Sequence, residues 1–264
     1  MRIRILTENT ALSPELIAEH GLSLYIETGN HRILFDAGQS DAFAKNAQKL
    51  GVDLSTVDLA VLSHGHYDHG GGLMRFLELN DRAPVYVSRH AFGAHYNASG
   101  RYIGLDPALM RHPRLIPSQG VMNIGEGLTL CACEDLPMRT PPDSAGLTRR
   151  EGDAYLPDDF RHEQYLLIRE GGKDILISGC SHRGVLNIAD AFEPDVLVGG
   201  FHFMKLDPGQ PEDAQRLEHA ANALLAHRTA YYTGHCTGEA PYAFLKALMG
   251  GRLMPLCTGQ TIEL

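Results

Sequence analysis

The stretch SHGHYDHGGG, residues 63–72, places three histidines and one aspartate within six positions and ends in three glycines. Imidazole nitrogens and carboxylate oxygens are good ligands for Zn²⁺ and Fe²⁺. Because alternation along the chain turns them the same way, His64 and His66 are expected to bind one ion. Asp68 and His69 follow a turn and are expected to face a second ion. The stretch therefore predicts a metal centre with one or two ions.

The composition is typical of a folded globular protein and carries no signature of nucleic-acid or membrane binding. The 264 residues are 44% apolar, which is enough for a sizeable core. A formal charge of −9 with no long basic run argues against binding to nucleic acid or to an anionic membrane surface. No stretch approaches the ~20 apolar residues of a spanning helix or resembles a signal peptide. We therefore expect a cytoplasmic protein that acts on a small molecule; the sequence gives no indication of its oligomeric state.

The cysteines are expected to be free thiols. An odd number of them in a chain too large to depend on disulfides fits a reducing compartment. They are Cys131, Cys133, Cys180, Cys236 and Cys257. The first two lie in the apolar run GLTLCACE, so we expect them to pack within a strand rather than to bind metal.

Apolar runs and turn residues predict strands and helices along the whole chain. The first fifty residues are expected to form a β-meander with a hairpin turn at Gly29 and Asn30, followed by mixed strands and helices. The last strand is expected over residues 252–264, and residues 136–160 form the longest irregular segment. We expect residues 1–264 to form one domain, in which two sheets are covered by helices and the loops gather at one edge.

Three later stretches repeat the pattern of an apolar strand that ends in a histidine-bearing loop. ILISGCSHRG (175–184) carries Cys180 and His182, YYTGHCTG (231–238) carries His235 and Cys236, and LVGGFHF (197–203) carries His202. Each loop follows a strand, so each can deliver its side chain to the same sheet edge as residues 63–72. The repeated pattern favours one shared site.

These residues carry a family resemblance. HGHYDHGGG (64–72), with its HxHxDH core, and LFDAG (34–38) resemble the metallo-β-lactamase superfamily, and the resemblance covers nearly the whole chain. Together with GCSHRGVLNI (179–188), GGFH (199–202) and TGHCTG (233–238), the motif is similar to one branch of it. That branch comprises the 7,8-dihydropterin-6-methyl-4-(β-D-ribofuranosyl)aminobenzene-5′-phosphate synthase-like proteins.

The resemblance implies an α/β fold of the α+β type, an αββα sandwich of two mixed sheets flanked by helices. It implies a centre of one or two Zn²⁺ ions at one edge of the paired sheets, with iron or manganese as the alternatives. Carried over by position, His64 and His66 would bind the first ion. Asp68 and His69 would bind the second ion, and His235 would complete that second site.

The middle ligands depart from the better-known lactamase and glyoxalase pattern, which has a histidine in a GHTxG loop and then an aspartate at a strand end. DDFRHEQYLL (158–167) occupies the first place, and the residues leave open whether His162, Glu163 or neither reaches a metal. The strand end is GCSH, so Cys180 could supply a thiolate, His182 could replace the missing histidine, or both could bind. The alternatives are a buried small residue for Cys180 and a contact to substrate phosphate for His182.

Three further roles complete the predicted site. Asp68 is expected to orient the attacking water as well as to bind metal, and His202 is expected to contact substrate. Asp36 is expected to hydrogen-bond a ligand histidine from behind and fix its tautomer, although a turn-forming role before glycine is an equal alternative. Four arginines in or beside the long loop are candidates for phosphate contacts or for a solvated surface: Arg139, Arg149, Arg150 and Arg161.

The leading hypothesis is hydrolysis of a small ester-type or phosphorylated substrate by a metal-bound hydroxide. The narrower resemblance implies a different reaction, the condensation of a dihydropterin diphosphate with an aminobenzene ribonucleotide, in which the cations stabilise departing pyrophosphate. A metal-binding redox or sensor protein without hydrolytic activity is a third hypothesis, since a thiolate with histidines and a carboxylate also suits iron.

Overall fold

The chain folds into alternating strands and helices, as its apolar runs predict. The computed structural model describes residues 1–264, with the side chain of Asp135 left out. The first nine strands are β1 (Arg2–Thr7), β2 (Ser23–Glu27), β3 (Arg32–Phe35), β4 (Leu59–Val61), β5 (Val85–Ser88), β6 (Ala94–Tyr96), β7 (Leu115–Ser118), β8 (Val121–Gly125) and β9 (Leu128–Ala132). The later strands are β10 (Thr148–Glu151), β11 (Ala154–Pro157), β12 (Gln164–Glu170), β13 (Lys173–Gly179), β14 (Val196–Gly199), β15 (Ala230–Thr233), β16 (Leu253–Pro255) and β17 (Thr261–Glu263). The α-helices are α1 (Ala42–Lys49), α2 (Tyr67–Gly70), α3 (Leu73–Leu79), α4 (Val185–Phe192), α5 (Pro211–Ala226) and α6 (Glu239–Met249).

Two mixed sheets of seven strands form the middle of the molecule. The first sheet has the order β17-β1-β2-β3-β4-β5-β7, and the second has the order β16-β15-β14-β13-β12-β9-β8. In the first sheet β3, β4, β5 and β7 are parallel neighbours, and in the second sheet β13, β14, β15 and β16 are. Each sheet therefore joins an antiparallel part to a parallel part, and the parallel part requires crossover connections of the kind that α3 and α4 supply.

Three apolar clusters show how the layers stack. One lies between the sheets and includes Phe35 of the first sheet and Ile177 of the second. A second packs Phe43 and Phe76 of the early helices against the first sheet. The third includes Leu217 of α5 packed against the second sheet. The order helix, sheet, sheet, helix is the expected αββα sandwich.

Two parts of the sequence fold differently from expectation. The expected closing strand over 252–264 is two strands, because the chain turns where Gln260 N–H donates to Cys257 O and Gly259 adopts φ +89°. As a result β16 joins the second sheet and β17 joins the first. The irregular segment 136–160 contains the hairpin of β10 and β11, which pairs with β6 in a small third sheet. A turn at Gly152, with φ +60°, closes that hairpin.

The parallel strands place the predicted site residues at one edge. Residues 63–72 follow β4, and the loops after β13, β14 and β15 carry the later cysteine and histidines. Ligands of open α/β sheets bind outside the carboxyl ends of strands, which is where these loops lie. Within the described residues, none of the helices combines the length and the apolar character needed to cross a bilayer.

Candidate metal centre

Three buried histidines from both sheets meet at this edge. His64 Nε2 lies 3.2 Å from His182 Nε2. The ring of His66 lies 4.7 Å from that of His64 and 4.9 Å from that of His182, centroid to centroid. Burial, and then the neighbouring imidazoles, hold the pKa of each of these three histidines well below its usual value. This three-histidine group is therefore neutral and offers nitrogen lone pairs, as metal binding requires.

A second group beside it mixes carboxylate, imidazole and sulfur. His69 Nε2 lies 3.1 Å from Cys180 Sγ and 3.1 Å from His235 Nε2. Asp68 Oδ2 lies 3.2 Å from His235 Nε2. Burial disfavours both charges, yet His69 and then His235 lower the pKa of Asp68, and the contact with Asp68 raises the pKa of His235 to about 9. The residues Asp68, His69, Cys180 and His235 are called the mixed group below.

The spacing of these atoms fits divalent metal ions. Ligands of a tetrahedral zinc ion with bonds of about 2.0–2.3 Å are roughly 3.3–3.7 Å apart, close to the separations of 3.1 to 3.2 Å measured here. The rings of His64 and His69 lie 4.2 Å apart, so the two groups adjoin. Nitrogen, sulfur and carboxylate oxygen together suit zinc or iron better than magnesium or calcium.

Asp36 lies beneath both groups, at the end of β3. Its Oδ2 accepts a hydrogen bond from His69 Nδ1 at 2.6 Å, and the same oxygen lies 2.7 Å from Ser63 Oγ. Ser63 Oγ in turn lies 2.8 Å from His64 Nδ1. Asp36 adopts φ +58°, a conformation that non-glycine residues rarely take. The Asp36 carboxylate, which was expected to hydrogen-bond one ligand histidine, thus contacts His69 directly and His64 through the Ser63 hydroxyl.

Two residues after β1 hold His235 and were missed in the sequence. Asn9 Oδ1 lies 3.1 Å from His235 Nδ1, and Asn9 Nδ2 donates to His235 O at 3.2 Å. The buried carboxylate of Glu8 accepts a hydrogen bond from the backbone N–H of His235. The signal was present, since the sequence ILTEN places polar residues at a strand end beside β2. It was overlooked because these residues are more than 220 positions from His235.

His162 and Glu163, whose roles the sequence leaves open, accept hydrogen bonds from backbone N–H groups. His162 Nδ1 accepts a hydrogen bond from the backbone N–H of Gly65 at 2.9 Å. Glu163 accepts from the backbone N–H of His182 at 2.7 Å and from that of Arg183 at 3.0 Å. Burial raises the pKa of Glu163 to about 7. Glu163 therefore shapes the loop that presents His182.

A cavity of about 410 Å³ opens above both groups. His202 lines it, with its ring 4.3 Å from that of His182, and burial lowers the pKa of His202 to about 4. Three other lining residues, for which the sequence indicates no functional role, are His20, Cys236 and Lys205. His20 Nε2 lies 3.5 Å from Asp68 Oδ2. Cys236 Sγ donates to Cys180 O at 3.4 Å.

The four arginines of the long loop pair with acidic side chains. Arg139 contacts Asp190, Arg149 contacts Glu151 and Asp159, Arg150 contacts Asp153, and Arg161 contacts Asp159. Cys131 and Cys133 are buried at the end of β9 and just after it, where packing was expected.

Comparisons with known proteins agree with this fold. The family model of the metallo-beta-lactamase superfamily matches residues 17–235. The uncharacterized protein MJ0448 of Methanocaldococcus jannaschii is 32% identical over 224 residues, 76% of this chain and 79% of that protein. The 7,8-dihydropterin-6-methyl-4-(beta-D-ribofuranosyl)-aminobenzene-5′-phosphate synthase of the same organism is 27% identical, over 84% of this chain and 82% of its own length. Among solved structures, Tm1679, a metal-dependent hydrolase of the beta-lactamase superfamily, aligns with a TM-score of 0.82 and 30% identity over 100% of this chain and 99% of that one. From the family match, the chain belongs to the metallo-beta-lactamase superfamily.

Proposed function

We propose that the chain is a metal-dependent hydrolase that acts on a small ester-type or phosphorylated substrate. The observation that carries the proposal is that the three-histidine group and the mixed group adjoin and that five of their seven residues line one cavity. Zn²⁺ is the proposed metal, because sulfur and imidazole ligands favour zinc or iron over manganese. His64, His66 and His182 would hold one ion, and Asp68, His69, Cys180 and His235 the other.

The chemistry follows from what the residues present to a bound substrate. When bound, such ions lower the pKa of water toward neutrality and polarise a carbonyl or phosphoryl oxygen. Asp68 is ionised and faces the cavity, so its carboxylate accepts a hydrogen bond from the attacking water and orients it. His202 is neutral and lines the same cavity, where it can donate to a substrate oxygen. Lys205 supplies a positive charge for an anionic substrate group.

The synthase relative supports a second candidate function. In a condensation that releases pyrophosphate, the same residues would hold cations that neutralise the leaving group, and the match to the relative covers 84% of this chain. The two functions differ in the substrate that fills the cavity and in whether water or an aromatic ribonucleotide attacks.

The test combines metal analysis with a substrate panel. Protein purified without added metal is assayed for zinc, iron and manganese, then for turnover of phosphodiesters, esters and thioesters and for pyrophosphate release from a dihydropterin diphosphate. Asp68→Asn is the inactive variant, and Asp153→Asn, a fully exposed turn residue, is the matched control. Bound transition metal with hydrolysis that only Asp68→Asn abolishes supports the proposal. Protein without transition metal overturns it, and metal-bound protein that releases only pyrophosphate favours the synthase.

A further inference from the structure

A second buried polar cluster lies behind His66, on the side of the small third sheet. It consists of His95 in β6 and of Asp158 and His162, which follow β11. All three side chains are buried. The ring of His66 lies 5.5 Å from that of His95 and 5.0 Å from that of His162. His66 is therefore shared between this cluster and the three-histidine group.

Asp158 is the centre of the cluster. Its Oδ2 accepts a hydrogen bond from His95 Nδ1 at 2.7 Å and lies 3.5 Å from His162 Nε2. Its Oδ1 accepts from the backbone N–H of Phe160 at 2.9 Å. The potential ligand atoms of His66, His95, Asp158 and His162 all lie within 4.8 Å of one another. The carboxylate thus lies near the one histidine that the metal groups share with the cluster.

The four residues look like a third metal site, but their hydrogen bonds oppose that interpretation. His162 Nδ1 accepts the N–H of Gly65, so the neutral ring carries its proton on Nε2 and has no lone pair there for a cation. His95 Nδ1 donates its proton to Asp158. Metal binding through His162 would require an imidazolate, which a backbone donor alone does not stabilise. The cluster therefore presents the Asp158 carboxylate with N–H groups of His95, His162 and Phe160 around it, and His95 Nε2 is the one imidazole lone pair that these hydrogen bonds leave free.

Three of the other four candidate ligand histidines show what is missing at His66. His69 donates from Nδ1 to Asp36, His64 contacts Ser63 and His235 contacts Asn9. His66 Nε2 and His182 Nδ1 are buried and have no hydrogen-bond partner among the described residues. Of the two, His66 is the one that shares a cluster with a carboxylate, that of Asp158. Metal-ligating histidines almost always donate their second ring N–H to a carboxylate, a carbonyl or water. Asp158 is the carboxylate placed to complete this pattern.

We propose that Asp158 is a positioning residue of the metal centre, which accepts the free N–H of His66 and fixes the ring so that its other nitrogen faces the ion. This inference rests on the proposed metal centre. The atoms lie within 4.8 Å of each other, so a small rotation of His66 or one bridging water completes the contact. His95 acts through Asp158, since its N–H donates to the carboxylate, and His162 Nε2 lies 3.5 Å from the same oxygen.

The test compares Asp158→Asn with Asp159→Asn, its neighbour, whose side chain pairs with Arg161 instead. Apoprotein of each is titrated with Co²⁺, and the bound ions are counted. The thiolate of Cys180 gives cobalt in the mixed group an intense near-ultraviolet absorption, so the two groups are distinguished. Asp158→Asn is expected to weaken binding at the three-histidine group about 10–100-fold and to change its visible spectrum, without affecting the thiolate band. Asp159→Asn is expected to bind as the unchanged protein does.

Each other outcome has one meaning. Binding and spectrum unchanged in Asp158→Asn overturn the positioning role. Three ions in the unchanged protein and two in Asp158→Asn overturn it in favour of a third metal site. No metal in the unchanged protein removes the proposed function itself. If Asp158→Asn folds poorly, His95→Gln, whose amide can still donate to Asp158, is expected to bind near normally, whereas His95→Leu is expected to reproduce the weakened group.

Discussion

The three-histidine group and the mixed group adjoin at one sheet edge but differ in charge. The first offers three neutral nitrogens, whereas the second contains the ionised Asp68 and the sulfur of Cys180. Once His235 has released the proton that its raised pKa retains, the mixed group is an anionic ligand set. A dication gains more from such a set, because its charge is compensated within the site. Two adjacent ions bound to these groups therefore need not be equivalent. We expect the mixed group to bind zinc more tightly and the three-histidine group to exchange its ion more readily.

The largest effect is expected from Asp68→Ala. The variant removes the ligand that also orients water, so kcat/KM for the substrate identified by the panel is expected to fall at least ~100-fold. Metal analysis is expected to find one ion, held by the three-histidine group. A variant that keeps both ions and full activity would contradict the assignment of Asp68 to the mixed group.

Cys180→Ser tests the charge difference directly. Without the sulfur, zinc affinity of the mixed group is expected to fall more than tenfold, about 1.4 kcal/mol, and the cobalt thiolate band is expected to vanish. Cys257→Ser, at a half-buried thiol outside both metal groups, is the control. A band that survives in Cys180→Ser would assign the thiolate to Cys236, the other cysteine beside His235.

Asn9→Ala tests the support of the mixed group. His235 loses the partner of its Nδ1, so metal affinity at the mixed group is expected to drop roughly tenfold, with no change at the three-histidine group. Asn30→Ala, an exposed hairpin residue, serves as the control. Equal weakening of both groups would mean that Asn9 supports the whole edge rather than one ligand.

The smallest effect is expected from Lys205→Met, which changes the shared cavity and neither metal group. Loss of a partly exposed ion pair costs about 1 kcal/mol at most, so KM for an anionic substrate is expected to rise up to ~5-fold with kcat unchanged. Metal content is expected to stay the same. A neutral substrate with an equal rise in KM would show that Lys205 acts through packing.

The sequence predicts the fold more completely than it predicts the residues that hydrogen-bond the candidate ligands. Apolar periodicity predicts two sheets covered by helices, and the family resemblance carried by the HxHxDH motif implies the αββα sandwich. The loops after β4, β13 and β15 bring His64, Cys180 and His235 together, since parallel strands end at one edge. Metal binding by these residues stays a prediction.

The missed contacts share a physical cause. Asn9 lies 226 positions from His235, and His95 lies 63 positions from Asp158. No periodicity links such pairs, and each residue alone resembles an ordinary loop or strand residue. The hairpin of β10 and β11, which carries the chain into Asp158, was itself hidden in a segment rich in Pro and Gly. Contacts between distant loops depend on tertiary packing and are visible only in the structure.

The distribution of the ligand candidates over both sheets links metal binding to folding. The first sheet presents His64, His66, Asp68 and His69, while the second sheet presents Cys180, His182 and His235. An ion held by both halves binds only the native chain, so it shifts the unfolding equilibrium by mass action. Free metal at 100 times its dissociation constant adds about 2.7 kcal/mol per site to the free energy of unfolding. The metal would then join the first and second sheets reversibly, and the melting temperature of the protein would rise with the free metal concentration.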